Sequence, residues 1–326
     1  MIPVLHFSAF EFIHFQITSL CSRFEMNRVH QVFVVGHTSN MKHIRNVIEA
    51  STNSRCVEFD TEWKYVSLQT LMPPLQHWLR RFVYIAGLKP EPEPRHLKMM
   101  STIALSVFIE TDFYMVMDTG TAVIRATRVA DMFDDTARVI VNLHSVSAAD
   151  TEQSWRESAE MTGTELHVKT QGLYPIHRDA VQSMREHLKE LHDKDALEFL
   201  LDYDEEPWSF DALYFAFLSR YHAVEKVFHP IIGDGANEKV VQPYTMHLNS
   251  WQQVWEFYAP RWSSTTREMT QGGAYYSMLS AADDETNGNL RDVPNFVVAH
   301  AEEVLAKNTE KALFAEMLAF ATSEMI

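Results

Sequence analysis

The chain has 326 residues and a mass of 37.7 kDa, room for one large domain or two ordinary ones around a sizeable core. Hydrophobic residues make up 46% and aromatics 12%, which excludes a disordered chain, and 44 acidic against 28 basic residues argue against tight general binding to phosphate backbones. Only 10 glycines beside 16 methionines favour helices over the glycine-dependent turns of parallel α/β enzymes.

In chain order, the opening stretch is an apolar arm without a clean period, and His6, Glu11 and His14 interrupt it too often for a secretion signal or a membrane span. "VHQVFVVG" and "RCVEFD" read as two strands around a helix over residues 41–49, whose apolar positions are Ile44, Val47 and Ile48. The spacing predicts a helix over 75–88, ended by Gly87, and then an extended connector at "KPEPEPR". Residues 96–117 read as one long buried helix, because apolar residues occupy nearly every face. "TAVIRATRV", "ARVIVNL" and "TELHVKT" are β-prone and interleave with an acidic helix near residues 151–161. Helices are predicted again over 176–192, 195–201, 209–228, 251–258, 265–281 and 309–324, with Ser209 as an N-cap. The expected fold class is therefore mainly α, with 1–120 and 176–326 as a helical domain and 121–175 as a smaller mixed α/β module. The two cysteines, Cys21 and Cys56, lack metal-ligand spacing and are expected to be buried thiols in a reducing compartment.

Three chemical constellations stand out, each beside a plainer alternative. Asp60 and Glu62 in "CVEFDTEW" resemble the first metal-binding pair of the DEDD 3'-5' exonucleases, since two carboxylates at that spacing share a strand face and can hold magnesium. The later motifs of that family are missing, and a solvated turn at a strand end explains the pair as well. Asp131, Asp134 and Asp135 resemble the aspartate-rich motif of class I terpene synthases, but "HLNSWQQVWE" has the wrong spacing for the second metal arm, which leaves an exposed acidic face as the plainer reading. Of the 16 histidines, His187 with His192 and His222 with His229 do not make the pair of a metalloprotease helix, and Glu11 with His14 is a single motif where a di-iron bundle needs two. No cofactor is expected. The sequence holds no G-x-S-x-G, G-x-x-x-x-G-K, G-x-G-x-x-G or C-x-x-C string.

Aromatic density in "DEEPWSFDALYFAFLSRYH" and "HLNSWQQVWEFYAPRW" exceeds what one helix face can bury, which predicts a second buried contact between copies of the chain. A large monomeric core is the alternative. In composition over the whole chain, with its apolar arm, scarce glycine and acidic balance, and most strongly in "LYFAFLSRYHAVEKVFHP" and "HLNSWQQVWEFYAPRW", the chain resembles the coat proteins of partitiviruses and cryspoviruses. That resemblance implies a structural protein with no catalytic residue, assembling through asymmetric dimers into an icosahedral shell. Its partners would be itself, the enclosed double-stranded RNA and the viral polymerase, with no membrane, in the virion and the host cytoplasm. The subunit contacts would fall on Phe7, Phe10 and Phe12 of the arm and on Trp251, Trp255, Tyr258 and Trp262.

Overall fold

The computed structural model describes residues 2–6, 13–55, 59–71, 94–118, 121–123, 127–145, 153–164, 168–170, 173–202, 208–221, 223–231, 245–248 and 296–299. Its centre is a five-stranded sheet built from β1 (Ile2–His6), β2 (Gln31–Gly36), β3 (Glu62–Ser67), β4 (Phe113–Asp118) and β8 (Ile176–His177). The strand order is β3-β2-β1-β4-β8, and every pairing is parallel except that of β8 with β4. Parallel neighbours need a crossover between them. Here α1 (Ile13–Arg23) joins β1 to β2, and α2 (Met41–Arg55) joins β2 to β3. Helices α3 (Leu68–Leu71) and α4 (Pro94–Leu105) lie between β3 and β4. The chain is α/β, so the mainly α expectation is overturned.

Alternation along the strands explains why both faces are covered. In β2, Val32 and Val34 enter one cluster with Ile13, Ile17 and Leu20 of α1 and with Ile44 and Ile48 of α2. Phe33 and Val35 enter the other, with Met100 and Ile103 of α4. Val181 and Met184 of α6 (Arg178–His192) join that second cluster, as do residues of α7 (Ala196–Asp202) and α8 (Phe210–Arg220). β4 repeats the division, with Tyr114 on one side and Met115 and Met117 on the other. A strand buried on both faces reads as an unbroken apolar run, which is why residues 96–117 resembled one helix. In fact α4 stops at Leu105, a turn through Val107 and Phe108 follows, and β4 starts at Phe113.

The second strand of the N-terminal unit is also displaced. α2 runs on to Arg55, and pairing with β2 opens only at Glu62, beside the Glu62 N–H bond to His30 O at 2.8 Å. Two smaller sheets complete the described structure. β5 (Thr121–Val123) continues from β4 and pairs antiparallel with β11 (Phe296–Ala299), which pairs in parallel with β10 (Thr245–Leu248). β6 (Val139–Ser145) lies between β7 (Val168–Thr170) and β9 (Phe228–Ile231). α5 (Gln153–Thr162) packs on α8, and α9 (Val224–Val227) leads into β9.

The aromatic surplus has an intramolecular home. Every residue from Ala212 to Leu218 of α8 is buried within one chain. A helix that is apolar all round belongs in a protein interior, and α8 lies between α5 and the layer of α4 and α6. The Phe215 ring is 5.1 Å from Phe228, 5.6 Å from Tyr174 and 5.8 Å from Tyr214. Tyr174 also ties this cluster to the start of α8 by donating to Asp211 Oδ1 at 2.5 Å. Ser209 occupies the N-cap of α8, although its side chain makes no capping bond. Its backbone N–H instead donates to Ser158 Oγ at 3.0 Å. The proposed contact residues Phe7, Phe10, Phe12, Trp251, Trp255, Tyr258 and Trp262 lie outside the described residues, as do the predicted helices over 75–88, 251–258, 265–281 and 309–324. No helix among the described residues is long and apolar enough to cross a membrane.

Cys21 is buried and disulfide-bonded, where a free thiol was expected. The chain's other cysteine is Cys56.

Two stability outcomes follow. Phe215→Ala removes a ring with no exposed surface and should cost about 3–5 kcal/mol in denaturant unfolding. A thiol reductant should lower stability by about 2–5 kcal/mol, the usual loss on opening a native disulfide; an unchanged melting curve would show that the bond contributes nothing.

Candidate active site at the carboxyl edge of the sheet

In an open α/β sheet the ligand crevice forms outside the carboxyl ends of the strands, where consecutive connections leave to opposite faces. That point is fixed here by topology. The connections from β1 and β2 run through α1 and α2 on one face, whereas the chain reaches β4 through α4 on the other. The switch therefore falls between β1 and β4.

The two strands end side by side at this switch, with His6 of β1 and Asp118 of β4 as register partners. Val35 of β2 pairs with His6 on its other side, and Gly36 pairs with Ser67 at the end of β3. The strands at the carboxyl edge thus end in a histidine, an aspartate, a glycine and a serine. Beyond Gly36, the exposed turn into α2 is organised by its own side chains. His37 Nδ1 accepts the Ser39 N–H at 3.3 Å and lies 2.7 Å from the Ser39 hydroxyl. Asn40 O takes the bond from Ile44 N–H at 2.9 Å, so α2 begins directly at the edge with its amino end facing it.

Past Asp118 the chain enters β5, which leaves the central sheet and runs beside α1. Val123 N–H donates to Ser19 Oγ at 3.2 Å, Thr127 N–H to Arg23 O at 2.8 Å, and Glu25 N–H to Thr127 O at 3.1 Å. Sequence reasoning missed both His6 and Asp118. The available signal was the apolar run "FYMVMD" breaking at Asp-Thr-Gly, the ending of a buried strand at a turn.

The acids singled out in the sequence lie elsewhere. Asp60 and Glu62 are exposed at the amino end of β3, the opposite edge from the crevice. Glu62 Oε2 accepts from Gln31 Nε2 at 2.9 Å and faces Lys64 Nζ at 3.5 Å. The exonuclease reading is overturned, because its strand was placed before these acids whereas the real strand follows them.

Asp131, Asp134 and Asp135 form no metal arm either. Asp131 caps a short 3₁₀ turn and pairs with Arg128 at 2.8 Å, and Asp135 is exposed. Asp134 closes a tight loop by accepting from Thr136 N–H at 2.9 Å, the Thr136 hydroxyl at 2.8 Å, Arg138 N–H at 2.8 Å and Arg138 Nε at 2.9 Å. Burial pushes its carboxyl up, but these donors outweigh burial and hold it well below the usual carboxylate range. Arg138 Nη1 reaches Glu225 O at 3.2 Å, so the loop anchors α9. The terpene synthase reading is overturned with the exonuclease one.

His187 and His192 likewise serve structure. Their Nε2–H groups donate to Thr162 O at 3.0 Å and Met161 O at 2.8 Å, satisfying carbonyls at the carboxyl end of α5. Arg220 Nη1 takes Gly163 O at 2.6 Å at the same end. Among the described residues, no group of three or more histidine, cysteine or acidic side chains converges on a metal position.

Comparison with known proteins adds a family. The model of a family of unknown function, DUF6492, matches residues 10–258, and the chain belongs to that family. No curated protein matches the sequence. Among solved structures, the chain is similar to the apo form of mouse xyloside xylosyltransferase 1, with 13% identity over 78% of this chain and 91% of that one and a TM-score of 0.39. It is also similar to the PaToxG glycosyltransferase, with 7% identity over 69% of this chain and 72% of that one and a TM-score of 0.35. The coat-protein reading is corrected by these findings together. The fold is a doubly covered, mostly parallel sheet and not a helical shell, and the aromatic surplus of α8 is buried within one chain. With it go the asymmetric dimers, the enclosed double-stranded RNA, the viral polymerase and the expectation of a protein without catalysis.

Asp134→Ala should cost about 2 kcal/mol, the scale of hydrogen bonds to a charged group. Because the folded carboxyl titrates below its unfolded value, its contribution is full above about pH 4. It is lost as pH falls through the folded pKa, so acid unfolding of the wild type should steepen below pH 4 and flatten in the variant.

Proposed function

We propose that the protein is a glycosyltransferase that takes a sugar from a nucleotide-activated donor held in the crevice between β1 and β4. The observation that carries the reading is the pairing of His6 with Asp118 at a topological switch point of a 3-2-1-4 parallel sheet, the strand order of nucleotide-binding α/β folds.

The motif content narrows the chemistry. The link from β1 to α1, "FSAFEF", holds no glycine, so the dinucleotide fingerprint of nicotinamide and flavin enzymes is absent. No Walker-type loop is present either, which disfavours phosphoryl transfer from a P-loop. What remains for a nucleotide at this edge is transfer of the group it carries, and both similar proteins above bear the name of a glycosyl- or xylosyltransferase.

In this reading the strand ends that carry His6 and Asp118 border the donor where its sugar is released, and the turn from His37 to Asn40 flanks the nucleotide. A carboxylate residue there suits hydrogen bonding to donor hydroxyls and stabilisation of positive charge developing at the anomeric carbon. Incubation with a panel of UDP-, GDP- and ADP-sugars should release the nucleoside diphosphate. Asp118→Asn should slow that release about a hundredfold, the low end for removing a titratable catalytic group. Release at an equal rate from Asp118→Asn, or from none of the donors with wild type, would refute the assignment.

A further inference from the structure

We infer that the outer edge of β3 pairs with the same edge of a second copy of this chain, antiparallel across a twofold axis at Trp63. β3 ends the central sheet, hydrogen-bonded to β2 on one side and to no other strand among the described residues. A sheet edge with unpaired N–H and C=O groups is a template for another strand unless something blunts it. β3 carries none of the usual devices. Its six register pairs with β2 run from Glu62 to Ser67 without a bulge, and the strand holds no proline. Its one lysine does not guard the edge. Lys64 Nζ lies over the Phe33 ring of β2, 5.8 Å from its centre, and 3.5 Å from Glu62 Oε2.

The backbone fixes which residues can bond outward. Glu62 donates its N–H to His30 O, so Glu62, Lys64 and Val66 bond towards β2, while Trp63 and Tyr65 turn their N–H and C=O groups to the open edge. A twofold pair can centre on Trp63, Lys64 or Tyr65. Centring on Lys64 sets two ammonium groups directly opposite one another, which is destabilising. Centring on Tyr65 sets Lys64 opposite Val66 and gives neither charge a partner. Centring on Trp63 hydrogen-bonds Trp63 to its own copy and sets Glu62 opposite Lys64 twice, at non-hydrogen-bonded positions where facing side chains come closest. The contact between Glu62 and Lys64 within one chain shows that both head groups lie on the same face of the strand. Charge therefore selects this register. Trp63 and Tyr65, both half-buried, gain cover from it, and such aromatics are enriched at the centres of interfaces. The contact is closed and twofold, distinct in residues and symmetry from the shell contacts that composition suggested.

Sedimentation velocity over a range of concentrations should show the wild type passing from one copy to two. Lys64→Glu sets like charges opposite one another at both positions and should weaken the pair about tenfold or more. Exchanging the two residues, Glu62→Lys with Lys64→Glu, keeps the net charge of the wild type and should restore the pair to within about threefold. Each variant should melt close to wild type, because exposed ion pairs contribute little to a fold. Should Lys64→Glu fail to fold, Glu62→Lys poses the same conflict from the other side. A wild type that remains a single copy at its highest soluble concentration overturns the inference. So does a pair that the single reversals leave unchanged, or one that the exchange does not restore.

Discussion

The insertion of β1 between β2 and β4 is the constraint on which the molecule depends. β1 has five residues and pairs in parallel along both edges. Parallel strands cannot be joined by a tight turn, so each neighbour must arrive through a helix laid on a sheet face. With β2 and β3 spread to one side of β1, the next strand returns to its other side instead of extending the sheet past the free edge of β3. That return puts α1 and α2 on one face and α4 on the other, and it leaves β1 and β4 ending together with no connection crossing between them. Core, layers and crevice are consequences of the same pairing.

β1 itself shows how the ladder tolerates an awkward residue. Pro3 has no N–H to give and is rare in central strands. It pairs with Met115 of β4, and the pairing with β2 begins only at Val4, so the missing donor falls at the strand's start. The helical layer on the β4 side is completed by α8, whose rings meet Tyr174 and Phe228 and join it to β9. Burial pushes the Tyr114, Tyr174 and Tyr214 hydroxyls above their ordinary range, with the Asp211 charge adding to the rise at Tyr174. Each hydroxyl is nonetheless hydrogen-bonded, Tyr114 to Thr102 O, Tyr174 to Asp211 and Tyr214 to His177 N–H. These three tyrosine hydroxyls are therefore all paired inside the aromatic layer.

Local elements with a clear period were legible in the sequence. β2, the first turns of α2 and the amphipathic α6 each carry their pattern within a few residues, and the β-prone stretches at β5, β6 and β7 are strands. Elements defined by their partners were not legible. β4 is apolar on both faces because it is central, and without its neighbours that pattern is indistinguishable from a buried helix. β1 carries Pro3 and is followed by a phenylalanine-rich stretch, so it resembled a loose arm. The composition of α8 was seen, but its cause was assigned to contacts between copies when the second face is covered by other parts of the same chain. Scarce glycine was also given too much weight, since helix-linked parallel strands here turn with few glycines.

The site was missed for a related reason, and the two groups of acids show it. Asp60 and Glu62 stand beside β3 just as Asp118 stands beside β4, and composition treats them alike. They differ in direction: Glu62 opens its strand and Asp118 closes its own. In a parallel sheet all helices that follow strands begin at the carboxyl edge, so their amino ends and their unpaired N–H groups gather there, while the amino edge collects helix ends of the opposite polarity. A carboxylate at the amino edge finds solvent and local partners such as Gln31 and Lys64. One at the carboxyl edge, beside the switch, stands where open α/β sheets bind their ligands. The chemical potential of an acidic residue in this fold is set by which end of its strand it occupies, a property that belongs to topology before it belongs to the residue.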